Sequence, residues 1–223
     1  MSCPLCHERK EKRFCPAVHG KICPQCCGEQ REVTLDCPSE CPYLQQARQH
    51  EKPHEGSSLD REAMFPEIEI AEQFLYEREH LIVGLSYALA KSARAERSLD
   101  GHALTDRDLI AALTSLAKSY QTLVQSNLIY EQATANLAHQ QIAREVETAV
   151  KEFREAEQKH LGYSRLRDSD VLQALVFLLR MGMARTSGRP RSRAYIDFLS
   201  SQFPQAQSPV AAPEDGGSRI ILP

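Results

Sequence analysis

Hydrophobic residues in the central part of the chain recur every three or four positions, a spacing that predicts amphipathic helices. We predict a first helix over 67–99, with Pro66 in its first turn and Gly101 just beyond its end. A second helix is predicted over 106–130, where Thr105 is followed three residues later by an acid, close to a capping box. Two long helices are therefore expected in this half of the chain.

After the second helix the apolar series slips out of phase, so a separate third helix is predicted over 136–161 and ends at Gly162. A fourth helix is predicted to open at Asp168. Its apolar residues cover most of its circumference, and we therefore expect it to be the most buried helix. A short fifth helix is predicted over 192–202.

These patterns predict a mostly α protein. It consists of a small zinc-stabilised N-terminal finger followed by an all-α bundle of four long helices and a short C-terminal helix. The predicted divisions are a cysteine-rich module over 1–44, a polar linker over 45–65, the bundle over 66–203 and a disordered tail over 204–223. The absence of Trp is consistent with an aliphatic core.

Charge and hydropathy narrow the range of functions. The formal net charge of −3 provides no global field for binding nucleic acid or an anionic membrane, so such binding would need a local cluster. The N-terminus lacks an apolar signal core, and the longest strongly apolar stretch, 174–179, is far shorter than a membrane span. We expect a cytoplasmic protein with no membrane partner.

All eight cysteines lie between Cys3 and Cys41, and they form two CxxC units, a CxxxC unit and an adjacent pair. In a cytosolic chain this spacing is typical of metal knuckles, short turns that direct two thiolates at one tetrahedral ion. Disulfides would suit a secreted protein, a redox dithiol would suit a βαβ context, and the ferredoxin spacing of iron–sulfur proteins is missing. Zinc is the preferred interpretation.

Eight thiolates divide into two four-cysteine sites, so we predict two zinc ions. Because the side chains of adjacent Cys26 and Cys27 diverge, we expect them to serve different ions. The predicted ligands of the first site are Cys3, Cys6, Cys23 and Cys26, and those of the second are Cys15, Cys27, Cys37 and Cys41. His19 remains an alternative to Cys27 in the second site.

Interleaved ligands of this kind resemble the cross-brace or treble-clef zinc fingers of the B-box, HIT and MYND types. The resemblance covers about 41 residues: a first CxxC, the Cys15-Pro16 element, a second CxxC and the Cys37/Cys41 pair. Those families mostly mediate protein or nucleic-acid contacts, so the resemblance implies a binding role. Four thiolates also close the coordination sphere, which favours structural over catalytic zinc. We predict a non-catalytic interaction protein that binds a protein partner or a second copy of itself.

An arginine-rich connection between the fourth and fifth helices gives an alternative function. It contains no acid, and its Gly-Arg-Pro core resembles an AT-hook, which implies nucleic-acid or phosphate binding. The alternative is a structural role, in which these arginines cap the C-terminus of the fourth helix and pair with acids such as Glu145, Glu147 or Glu155. The candidate phosphate-binding residues are Arg185, Arg189, Arg191 and Arg193.

Two Glu-x-x-His units, Glu77/His80 and Glu157/His160, give a more distant alternative, a metal-dependent oxidase in the bundle. Di-iron bundles place this motif on two helices and add a Glu from each of the other two. Those two partner acids are missing from the predicted helices. We therefore expect ordinary helix-face residues, with His160 packed at the edge of a helix seam.

Overall fold

The computed structural model of the protein describes residues 1–50, 64–95, 103–126 and 136–204. Within these ranges the protein is mostly helical, and a small two-stranded sheet is confined to the N-terminal part. A cysteine cluster precedes the helical region. The predicted fold class is confirmed.

The N-terminal module, defined here as residues 1–50, is built from short elements around its cysteines. An antiparallel hairpin pairs Arg13 with Ile22 and Cys15 with Gly20. Ile22 and Leu35 are buried among the cysteines and form with them a small core, separate from that of the bundle. The elements are β1 (Arg13–Cys15), a 3₁₀ turn (Pro16–Val18), β2 (Gly20–Ile22), α1 (Pro24–Gln30) and α2 (Pro42–His50).

Among the described residues, the bundle comprises six further helices. The most extensive packing is between α5 and α7, then between α4 and α6, while the short last helix packs on α4 and α7. The helices are α3 (Glu72–Glu77), α4 (Glu79–Ala95), α5 (Asp106–Ser126), α6 (Leu137–Leu161), α7 (Asp168–Arg185) and α8 (Ala194–Gln202).

The prediction of one continuous first helix over 67–99 is wrong. Residues 66–71 form a turn and an extended segment, and the helix is broken at Arg78 into α3 and α4. Arg180 of α7 donates to the backbone carbonyls of Met64, Phe65 and Ile68, which holds this segment in a non-helical path. Tertiary hydrogen bonds here override helical periodicity. Residues 96–99 lie outside the described part of the chain.

The other predicted boundaries agree more closely. The predicted third helix is α6, which is N-capped by Asn136 and ends at Gly162 with φ 81°. The predicted fifth helix begins at Ala194 rather than 192. Residues 127–130 of the predicted second helix and residues 205–223 of the predicted tail lie outside the described ranges.

The cysteine-module boundary at 44 falls inside α2, which continues to His50. Residues 51–63 of the predicted linker lie outside the described ranges, whereas Phe65 is buried in the bundle core. The polar composition after Tyr43 therefore belongs partly to a helix with a single buried residue, Leu44, and not entirely to a linker.

Helix α7 forms the centre of the bundle core, as its nearly continuous apolar surface predicts. At Gly182 the Tyr195 ring of α8 lies so near that an added Cβ would come within 2.8 Å of it. The Tyr195 hydroxyl donates to the Leu178 carbonyl over 3.0 Å. The absent side chain at Gly182 therefore lets α8 pack closely against α7.

Asp106, at the start of α5, is fully buried and fastens the α7–α8 connection to the bundle. Its carboxylate accepts from the Ser192 hydroxyl at 2.7 Å and from the backbone N–H groups of Tyr195 and Ile196 at 3.1 Å. Burial raises the pKa of Asp106, although these hydrogen bonds oppose the shift. A single carboxylate thus satisfies two of the N-terminal donors of α8, the N–H groups of Tyr195 and Ile196.

No described helix combines the length and the apolar composition that a membrane span requires.

Candidate metal centre

The structure gathers the four cysteines of the first predicted site. The sulfur atoms of Cys3, Cys6, Cys23 and Cys26 all lie within 4.8 Å of one another, and no other such group of three or more Cys, His, Asp or Glu residues occurs among the described residues. Cys3 and Cys6 sit on the turn before β1, Cys23 caps α1, and Cys26 lies in its first turn. Two short turns thus bring four thiols together from 20 residues apart.

Backbone donors favour ionisation at two of these sulfurs. The Cys23 N–H donates to the Cys3 sulfur over 3.2 Å, and the Cys26 N–H donates to the Cys23 sulfur over 3.4 Å. Burial opposes ionisation of Cys3, but hydrogen bonds from the backbone N–H groups of Cys23, Cys6 and Leu5 outweigh it and lower its pKa to about 6. The backbone hydrogen bond from Cys26 likewise lowers the pKa of Cys23.

Cys26 behaves in the opposite way, because its side-chain hydrogen bond with Cys23 raises its pKa to about 12. Arg9 lies alongside, with its Nη1 atom 3.9 Å from the Cys26 sulfur and 4.0 Å from the Cys23 sulfur. Ionisation is therefore favoured at Cys3 and Cys23 and disfavoured at Cys26. A bound dication would displace the remaining protons.

The four sulfurs of the first site are suited to binding a tetrahedral metal ion. Zinc holds thiolate sulfurs at about 2.3 Å, which separates them from one another by about 3.8 Å in a tetrahedron. The sulfurs of Cys6 and Cys23 are 4.0 Å apart. All eight cysteines are free thiols, so none of these sulfurs is committed to a disulfide.

The four cysteines of the second predicted site line one small cavity of about 10 Å³. They come from the end of β1, from α1, from the following loop and from the residue before α2. Their sulfurs are less tightly gathered than those of the first site. Leu35, Leu44 and Tyr43 complete an apolar wall around the thiols Cys15, Cys27, Cys37 and Cys41.

Arg31 also lines this cavity. Its Nε atom is buried without a hydrogen-bond partner. Burial raises the pKa of the Cys37 thiol, with the charges of Cys15 and Cys41 contributing in the same direction. Four thiols around one cavity are a donor set compatible with a second metal ion.

His19 and Cys27 occupy different environments. Cys27 is buried on α1 and lines the cavity. His19 is exposed at the turn between β1 and β2, where it has a φ of 48°, and it does not line the cavity. Cys27 therefore lies with Cys15, Cys37 and Cys41 around the cavity, whereas Cys26 lies in the first cluster.

The arginine-rich connection contacts the N-terminal module. The Nη1 atom of Arg189 donates to the carbonyls of Gly28 at 3.1 Å and Arg31 at 2.7 Å, at the end of α1. Arg191 forms a 2.9 Å ion pair with Asp36, and its backbone N–H donates to the Glu32 carbonyl. These two arginines thus contact the module rather than Glu145, which pairs with Lys91.

The other two arginines of this cluster are placed differently. The Arg185 guanidinium stacks 3.5 Å from the centre of the Phe198 ring, while Arg193 precedes α8 as its N-cap residue. The cluster is thus dispersed over three environments and does not form one basic surface.

A buried charge network that the sequence did not reveal completes this interface. Glu32 has a side chain only 2% exposed, and it accepts from Arg48 at 2.8 Å and from the Ser187 hydroxyl at 3.0 Å. Arg48 also pairs with Asp197 of α8 at 2.7 Å. These charged residues are far apart in the sequence and match no motif, so their pairing can be recognised only in the folded structure.

The Glu-x-x-His units do not form a metal site among the described residues. One Glu157 oxygen accepts from the backbone N–H groups of Arg165 and Leu166, so it caps the loop after α6. His80 and His160 are exposed, and the expected packing of His160 at a helix seam is wrong. It lies near the end of α6, beyond that helix's buried residues.

No protein-family model, curated protein or solved structure matches this chain. The resemblance to cross-brace zinc fingers therefore remains a prediction based on the cysteine spacing.

Proposed function

We propose that the protein is a non-catalytic interaction protein whose N-terminal module is structured by two zinc ions. Cys3, Cys6, Cys23 and Cys26 hold the first ion, and Cys15, Cys27, Cys37 and Cys41 hold the second. The module binds a protein partner, or a second copy of the chain, in the cytoplasm. The helical bundle serves as the platform that supports the module.

The main support for this proposal is the close cluster of four thiols at the first site. Four sulfurs within 4.8 Å provide a complete tetrahedral set, and three of them are buried. A site closed by four thiolates leaves no position for a metal-bound water, which is the reactive group of hydrolytic zinc enzymes. Structural zinc also accounts for the folding of a module with so few aliphatic core residues.

X-ray absorption spectroscopy of the zinc-loaded protein tests this assignment. We expect only sulfur neighbours, four for each zinc at about 2.3 Å. Cys37→Ser should remove one zinc while leaving the sulfur-only spectrum of the other. A nitrogen or oxygen neighbour in the wild-type spectrum would mean an open or mixed site and would contradict the closed, structural role.

Nucleic-acid binding is the rival function, and salt dependence separates it from the proposal. A complex held by phosphate contacts weakens with salt, and each lost contact reduces the slope on duplex DNA by roughly 0.9. We expect no binding of duplex DNA or RNA oligonucleotides at physiological salt. Binding whose salt slope falls in Arg185→Ala or Arg193→Ala would support the rival instead.

A further inference from the structure

We propose that the second metal site is coupled to the docking of the N-terminal module onto the bundle, so that losing this metal releases the module. The inference rests on the second zinc site proposed above. It assigns to that site a regulatory role that the first site lacks.

The bundle contacts the segment that joins two ligands of the second site. Residues 28–36 lie between Cys27 and Cys37. Arg189 binds two carbonyls of this segment, and Arg191 binds both the Glu32 carbonyl and the Asp36 carboxylate. The position of Cys27 relative to Cys37 is therefore set partly by the α7–α8 connection.

Helix α2 gives a second connection to the same site. It begins directly after Cys41, and its Arg48 bridges Glu32 of the module and Asp197 of α8. The Ser39 hydroxyl, between Cys37 and Cys41, also donates to Asp197 at 2.6 Å. Three of the four ligands of the second site thus border segments fastened to the bundle.

The first site has no comparable connection. Within the described ranges, all hydrogen bonds and ion pairs between the module and the bundle fall on residues 28–48. The hydrogen bonds to the sulfurs of Cys3 and Cys23 come from within the module. Docking therefore acts directly on the ligands of the second site, whereas Cys23 and Cys26 of the first site are reached only along α1.

Coupling of this kind is reciprocal. If docking holds the second set of thiols in place, it raises their affinity for zinc, and zinc in turn strengthens docking by the same factor. Emptying the second site leaves the segment 28–41 held by its hydrogen bonds, its ion pairs and the packing of Leu35, without the metal. Falling zinc would then free the module while the first site keeps its fold.

Site-resolved zinc protection tests the inference on the full chain. The protein is equilibrated at a series of buffered free zinc concentrations and given a short pulse of N-ethylmaleimide, and peptide mass spectrometry then reports each cysteine. Cys3 and Cys6 report the first site, and Cys37 and Cys41 report the second. We expect Arg189→Ala to raise the zinc concentration that protects the second pair by at least about fivefold, without moving the first.

Two further variants and a control sharpen the result. Arg48→Ala removes a contact made from α2, and it should also raise the zinc concentration that protects Cys37 and Cys41. Arg9 lies next to the Cys23 and Cys26 sulfurs, so Arg9→Ala should change only the zinc concentration that protects Cys3 and Cys6. Arg144→Ala, at an exposed position on α6, should shift neither.

The outcomes separate the inference from the proposed function. The coupling would be overturned if Arg189→Ala and Arg48→Ala changed the protecting zinc concentration equally for both pairs of cysteines, or for neither. Either result would still be compatible with two zinc sites. Failure of zinc to protect Cys37 and Cys41 in the wild type would overturn the second site itself. Faster hydrogen exchange of residues 187–192 at the zinc concentration that empties the second site would support release of the module.

Discussion

Asp106 shows how much one buried residue can organise in this fold. It is fully buried, yet its carboxylate accepts three hydrogen bonds from the start of α8 and the preceding Ser192. Buried donors left without a partner each cost on the order of 1–3 kcal/mol. The attachment of α8 therefore depends on this side chain.

We expect Asp106→Ala to lower the free energy of unfolding of the bundle by about 3 kcal/mol, because three donors lose their acceptor. Asp108→Ala is the matched control, since that carboxylate is partly exposed and serves mainly Thr105. Its cost should be about 1 kcal/mol, as for a helix cap. Urea unfolding followed by circular dichroism measures both; equal costs for the two variants would contradict this role of Asp106.

Contacts between side chains could be predicted only where the residues involved have a characteristic spacing along the sequence. The CxxC units at Cys3 and Cys23 indicate which thiols meet, because a short turn fixes their separation. Glu32 and Arg48 carry no such signal, since their pairing depends on how the module lies on α8. The same holds for the guanidinium of Arg189, whose partners are backbone carbonyls.

At the scale of elements, the helices follow from apolar periodicity. The clearest case is α6, where Asn136 caps the start and Gly162 marks the end. The break at Arg78 could not be predicted, because its side chain reaches Asp170 of α7 at 2.7 Å and lies near Glu157 of α6. Tertiary ion pairs of this kind leave no trace in the local pattern.

Close approach of two elements gives a prediction at Gly182. A Cβ there would meet the buried Tyr195 ring at 2.8 Å, which is too short for a normal contact. We expect Gly182→Ala to destabilise the protein by about 1–3 kcal/mol through overpacking, despite the better helix propensity of Ala. Thermal unfolding measures the change.

Gly28 of α1 is the control, because an added Cβ there meets nothing within 4 Å. Gly28→Ala should leave the melting temperature unchanged or raise it slightly. If Gly182→Ala were as well tolerated as Gly28→Ala, the close packing of α7 and α8 would be disproved.

At the scale of the whole molecule, two cores of different kinds lie side by side. The bundle has a continuous aliphatic core, whereas the module is centred on thiols with Ile22 and Leu35. The sequence predicts both parts, the bundle from its apolar periodicity and the module from the spacing of its cysteines. Their docking could not be predicted, because it is made by scattered polar side chains and backbone carbonyls.

The two cores should respond differently to metal removal. We expect an excess of a zinc chelator, with the thiols kept reduced, to abolish the protection of module amides from hydrogen exchange. Most of the helical circular dichroism should remain, because α4–α8 have their own core. Cooperative loss of all helical signal with the metal would show instead that the bundle depends on the module.

Native mass spectrometry of the reduced, zinc-replete protein tests the central claim most directly. It counts the metal ions that each folded chain retains, and elemental analysis identifies them. The account predicts two zinc ions per chain, with one lost in Cys6→Ser and the other in Cys37→Ser. A single zinc, iron in its place, or a metal-free folded chain would contradict the two-site module.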